Sequence, residues 1–175
     1  MRRKISKSLL LFLLAVTISP LFRVWAADDQ LPVSVKADHV VVFKNERKLI
    51  LMRGGRELKT FRVALGSEPV GAKTRLGDHR TPEGLYVLDR RNAKSSFYRS
   101  IHISYPNVND RARAAKLGVS PGGDIFVHGL PNGYGWIGSA HRAKDWTDGC
   151  IAVTNQEMDE IWRIVPDGTP IDIKP

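Results

Sequence analysis

Apolar residues in this chain come in short runs, with turn formers between them. The runs at 40–43, 49–52, 61–65, 86–88, 101–105, 125–127, 151–153 and 171–173 hold three to five residues each. Clusters such as Lys44-Asn45-Glu46-Arg47, Gly54-Gly55 and Pro166-Asp167-Gly168 separate them. A run this short is too brief for a helix face but fills one strand. Phe61-Arg62-Val63-Ala64-Leu65 alternates at period two, the mark of a strand with one buried face. About eight such strands predict a mainly β domain, a β-sandwich or open barrel, with one or two short helices packed on it.

Two segments read as helical. Residues 110–117 have a cap at Asn109 or Asp110 and a stop at Gly118, with a poor apolar face. The second is better marked. Thr154-Asn155-Gln156-Glu157 has capping-box spacing, and Met158, Ile161, Trp162 and Val165 then form one apolar stripe. These side chains read as core, bracing the strand at 151–153. Gly66-Ser67-Glu68-Pro69-Val70-Gly71-Ala72-Lys73-Thr74 resembles a phosphate loop but has one residue too many before the lysine and no helix after it. It reads as part of a long loop running through Gly77-Asp78-His79-Arg80 to the turn at Thr81-Pro82-Glu83-Gly84.

The N-terminus has the pattern of a secretory signal. Arg2, Arg3, Lys4 and Lys7 precede an apolar stretch at 9–18, too short to span a bilayer, and Val24-Trp25-Ala26 offers a small-x-small cleavage site. The expected organisation is a signal peptide over 1–26, a lead-in over 27–37 and one catalytic domain over 38–175. The expected location is periplasmic, with cleavage near Ala26. Removing 1–26 lowers the net charge from +9 to +4, with 22 basic residues against 18 acidic ones. No basic cluster with interleaved aromatics is present, so a nucleic-acid partner is not expected.

The chain holds one cysteine, Cys150, in Trp146-Thr147-Asp148-Gly149-Cys150-Ile151-Ala152-Val153. A lone cysteine in an exported chain is inert and buried, bridged to another chain, or kept for chemistry. The setting favours chemistry, because a glycine turn feeding a strand presents a nucleophile well. A thiol needs a base, and Ile125-Phe126-Val127-His128-Gly129 ends an apolar strand on a histidine 22 positions upstream. His141 competes as the base, being nearer in sequence, but lies in a polar stretch that reads as loop or lid. His39, His79, His102, His128 and His141 show no metal-site spacing, so neither metal nor cofactor is expected; a metallopeptidase would need long-range assembly. His102 reads as a surface or lining residue.

The segment Phe126-Val127-His128-Gly129, followed by Thr147-Asp148-Gly149-Cys150-Ile151, resembles the signature of the L,D-transpeptidase (YkuD-type) catalytic domain over about residues 38–174. Gly77-Asp78 and Thr81-Pro82-Glu83-Gly84, with Tyr86, resemble its substrate-side hairpin. The resemblance implies a cysteine acyltransferase acting on peptidoglycan stem peptides. The Cys150 thiolate would attack the carbonyl of an L-centre before a D-residue, commonly diaminopimelate followed by D-alanine. An amine would then resolve the thioester, giving a cross-link between stems or attachment of an outer-membrane lipoprotein. With water as acceptor the protein would be a carboxypeptidase or amidase. In this reading His128 is the base, backbone N–H groups at Gly149 and Cys150 form the oxyanion hole, and Thr147 and Gly129 shape the site. His141, Trp146 and Tyr86 stand on the substrate side. Two departures stand out: Ala152 where the family usually has arginine, and a long spacer between His128 and Cys150. Ala152 keeps open a second class, a wall-binding module that has lost activity.

Overall fold

The computed structural model describes residue 32 and residues 34–175; the expected signal segment lies outside them. The strands are β1 His39–Phe43, β2 Lys48–Arg53, β3 Arg56–Arg62, β4 Gly84–Ser95, β5 Tyr98–Ile103, β6 Ile125–His128, β7 Ile151–Ala152 and β8 Thr169–Lys174. Helix α1 is Val108–Lys116 and α2 is Asn155–Ile164; Gly135–Ala143 is a 3₁₀ segment kinked at Gly138. Each apolar run of the sequence lies in or beside a strand. Residues alternate in and out along β1, β2 and β8, so one face of the sheet is buried: Val40 and Val42, Leu49 and Leu51, Ile171 and Ile173.

The strands form one sheet, in the order β3-β2-β1-β8-β4-β5-β6-β7. Its two edges meet. Beyond β3, Ala64 and Ala152 exchange backbone hydrogen bonds at 3.0 and 2.8 Å, and Ser67 N–H donates to the Thr147 carbonyl at 2.9 Å. Of the two expected architectures, the curled, barrel-like one is present and the two-sheet sandwich is not. The run at 61–65 is divided accordingly: its first two residues end β3, and the rest crosses to β7.

Pairing is antiparallel except at β1–β8 and β6–β7. The parallel β6–β7 joint explains the long spacer. Parallel neighbours need a crossover of about a dozen residues or more, whereas a hairpin needs only two. Residues 129–150 make that crossover.

Helix α2 starts as its sequence implies: Thr154 Oγ1 accepts from Glu157 N–H, and Glu157 accepts from Thr154 N–H. It buries Met158, Ile161 and Ile164 against the sheet, while Trp162 packs at the core margin. Helix α1 begins earlier than expected. Its cap is Asn107, and Asp110 closes a capping box with it.

The loop at 66–83 is packed, not merely solvated. Lys44, placed in a surface turn by the sequence reading, is only 1% exposed. Its Nζ donates to the carbonyls of Gly71 and Thr81 and to Glu83 at 2.6, 3.0 and 2.7 Å, pinning the loop from beneath. Asp78 accepts from Lys73 and from the N–H groups of Thr74, Arg75 and Arg80. Burial raises its pKa, but these donors outweigh burial and hold it down at about 2.

Candidate active site

The turn before β7 is shaped by what presses on it. A Cβ on Gly149 would lie 2.5 Å from the Arg80 carbonyl oxygen, and its φ is +124°, so only glycine fits. Thr147 Oγ1 accepts from Gly149 N–H at 3.1 Å and donates to the Cys150 carbonyl at 2.8 Å, locking the turn. Gly149 N–H is therefore committed to Thr147. Cys150 N–H and Asp148 N–H keep no partner among the described residues, so of the two expected oxyanion-hole donors only Cys150 N–H is uncommitted.

In the β6–β7 ladder, His128 is in register with Ala152. Side chains alternate along a strand, so Cys150, two residues before Ala152, faces the same side as His128. Both line one cleft of about 460 Å³. The β4–β5 hairpin also lines it, through Asn92, Ser95, Ser96 and Phe97, as do the exposed side chains of Asp124 and Asp148. The sequence reading missed this hairpin wall.

His128 is 4% exposed. Its Nδ1 lies 2.6 Å from the Gly129 carbonyl oxygen. A carbonyl can only accept, so Nδ1 carries the proton and Nε2 keeps its lone pair for the cleft. Burial lowers the ring's pKa to about 4, against a smaller opposing effect of the Gly129 hydrogen bond, so the ring is neutral near pH 7. Phe97 lies 4.6 Å from the ring, centroid to centroid, and Trp146 lies 5.9 Å away, edge-on. Burial pushes the Cys150 thiol up; the Asp148 and Asp124 carboxylates add to this, while a backbone hydrogen bond at Phe126 and the Lys73 charge oppose it. The cleft thus holds a neutral thiol and a neutral imidazole whose second ring nitrogen can take a proton.

The remaining expected residues separate. Trp146 lines the cleft and also an adjoining apolar pocket of about 420 Å³. His141 lines that second pocket and not the cleft; its Nδ1 accepts from Trp146 Nε1 at 3.4 Å. Tyr86 lies on neither. It is 4% exposed, and its hydroxyl donates toward Glu83 O and Asp110 Oδ1, in the core between β4 and α1. His102 is buried against Asp89. Ala152 is fully buried, with both its backbone groups bonded to Ala64. Among the described residues, no group of three or more His, Cys, Asp or Glu is placed to hold a metal ion.

The L,D-transpeptidase catalytic-domain model of the YkuD family matches residues 37–173. The chain belongs to this family. The Escherichia coli (strain K12) relative YafK, whose name places it among the L,D-transpeptidases, is 32% identical over 133 residues, covering 73% of this chain and 46% of that protein. The fold is also that of Bdellovibrio bacteriovorus Bd1075, at TM-score 0.55 and 22% identity over 82% of this chain and 50% of that one. It is shared with Campylobacter jejuni Pgp2, a helical cell shape determining protein, at TM-score 0.59 and 22% identity over 81% and 49% of the two chains in the K307A mutant. This L,D-transpeptidase domain thus spans about half the length of the relatives it matches.

Proposed function

We propose that the protein is a periplasmic cysteine L,D-transpeptidase, an acyltransferase acting on peptidoglycan stem peptides. One arrangement carries the mechanism: Cys150, immediately before β7, and His128, at the end of β6, line one cleft, with His128 Nδ1 2.6 Å from Gly129 O. The order of events follows. With a stem peptide in the cleft, Nε2 of His128 takes the thiol proton as Cys150 Sγ attacks the carbonyl carbon of the L-centre. The oxyanion forms near Cys150 N–H, a type of donor typically worth about 10²–10³ in rate. The intermediate collapses, the C–N bond breaks, and the departing D-residue amine takes the proton from Nε2. A thioester remains. An acceptor amine then attacks it, gives its proton to Nε2, and the thiol is restored as the new amide forms. A second stem or an outer-membrane lipoprotein serves as that amine; water in its place gives the free acid.

The test is mass spectrometry of the protein incubated with a tetrapeptide muropeptide, with and without prior alkylation. An adduct on Cys150 that is blocked by iodoacetamide and absent in Cys150→Ala is expected. The released products distinguish transfer from hydrolysis. No adduct and no product, with binding to isolated sacculi intact, would make the chain a wall-binding module.

A further inference from the structure

The peptide group between Gly129 and Leu130 is gripped from both sides. Its carbonyl accepts from His128 Nδ1 at 2.6 Å. Its N–H, on the opposite edge of the same plane, donates to Asn155 Oδ1 at 2.9 Å. Asn155 is held tightly in turn. A Cβ on Gly129 would lie 2.8 Å from Asn155 Oδ1, and a Cβ on Gly135 would lie 2.6 Å from Asn155 Nδ2. The amide is wedged between the backbones at the start of the spacer and at the start of its 3₁₀ segment. Asn155 is the first residue of α2, whose apolar side is anchored in the core. It also follows the nucleophile by five residues on one unbroken segment, and midway along that segment Val153 N–H donates to the His128 carbonyl at 3.0 Å.

We infer that Asn155 is a positioning residue for the base: through the Gly129–Leu130 peptide it fixes the plane and polarity of the carbonyl that orients His128 and selects its proton-bearing nitrogen. This rests on the reading of Cys150 and His128 as the reacting pair. Chains of hydrogen bonds polarise one another, so an acceptor on Leu130 N–H makes the Gly129 carbonyl a better acceptor for Nδ1–H. The chain of contacts runs His128 Nδ1–H to Gly129 O, then Leu130 N–H to Asn155 Oδ1. Because Asn155 and Cys150 ride the same segment, one β7–α2 unit sets the position of the nucleophile and the orientation of its base.

The experiment uses the full chain and iodoacetamide, which has a single cysteine to label. Alkylation rate against pH is measured for wild type, His128→Asn, Asn155→Leu and Asn155→Asp, and the His128 ring nitrogens are observed by ¹H–¹⁵N NMR. In wild type the Nδ1–H tautomer is expected. Asn155→Leu, which keeps the volume and loses the acceptor, is expected to mix the two tautomers. It should also slow alkylation near neutral pH on the order of tenfold, part of the roughly 10²–10⁴ that a positioned base contributes. Asn155→Asp, which can still accept from Leu130 N–H, is expected to stay close to wild type in both readouts. A packing role alone would not move the tautomer. Should Asn155→Leu not fold, Asn155→Ser, whose hydroxyl is too short to reach Leu130, carries the same comparison. Unchanged tautomer and rate in a folded Asn155→Leu or Asn155→Ser, with His128→Asn slow, would overturn the inference alone. Wild-type rates in His128→Asn would overturn the pairing of His128 with Cys150 itself.

Discussion

His128 and His141 are both buried and both pushed toward the neutral form by that burial, yet only one of them is aimed. His128 ends a strand, and its ring is turned by the carbonyl of the very next residue. His141 sits in a kinked 3₁₀ segment, where its Nδ1 meets the Trp146 indole and its Nε2 is buried without a partner among the described residues. Trp146 stands between them, edge-on to both rings. On the proposed assignment, proximity to the cysteine in sequence is a poor guide to the base. The ladder brings position 128 beside position 150, while the spacer folds position 141 into a neighbouring pocket.

Three measurements bear on that contrast. The largest effect is expected from His128→Asn, which keeps a polar group of similar reach but removes the base. Acylation by a tetrapeptide substrate should fall about 10²–10⁴-fold with the fold intact by circular dichroism. A loss of less than tenfold would remove His128 from the mechanism.

The second measurement concerns pH. With the His128 ring titrating at about 4, the acid limb of kcat/KM should fall near pH 4 and not near the 6.5 of an unperturbed histidine. The same shift has a stability consequence. The unfolded chain binds this proton more readily than the folded one, so stability is fully present above pH 6.5 and declines as pH falls toward 4. The amount is roughly 3 kcal/mol, at about 1.4 kcal/mol per pKa unit. Asp78 is also depressed but acts below its ordinary 3.8, whereas His141, likewise lowered by burial, adds to the slope in the same window, so the His128 share is the difference between the wild-type and His128→Asn slopes in denaturant melts between pH 4 and 6.5. His128→Asn should flatten the slope in that window; a slope identical to wild type would mean that the ring is not held neutral by burial.

The smallest effect is expected from His141→Gln. Acylation should change by less than about threefold, because His141 faces the apolar pocket and not the cleft. A collapse as deep as that of His128→Asn would reverse the assignment of the two histidines.

Legibility in the sequence followed the range of each interaction. The α2 start could be read because both partners of its capping box, Thr154 and Glu157, lie within one turn. Strand alternation, the Gly149-Cys150 turn and the strand-final His128 are likewise local signals. Phe97, Ser95 and Ser96 could not be found this way. They sit at the β4–β5 hairpin tip, and the long-range β5–β6 register, which sets Ser100 opposite His128, brings that tip to the cleft. The resemblance of Thr81-Pro82-Glu83-Gly84 to the family's hairpin put Tyr86 on the substrate side, but its β4 position turns it inward to Asp110. Lys44 does lie in the turn its sequence implies, but its burial could not be read because nothing nearby in sequence names its distant partners. One missed feature did carry a signal: a spacer this long between two strands is what a parallel crossover requires.

The place of β8 has a consequence for how the chain acquires its shape. It lies in the middle of the sheet, parallel to β1 on one side and antiparallel to β4 on the other. Until residues 169–174 are available, β1–β3 and β4–β7 have no strand joining them, and the Ala64–Ala152 closure has no continuous sheet to hold its two edges in place. A ribosome emitting the chain from its N-terminus therefore exposes two unjoined fragments from the emergence of β4 until residues 169–174 follow, and closure of this sheet awaits β8. Cys150, the proposed nucleophile, gains its surrounding sheet only when β8 docks.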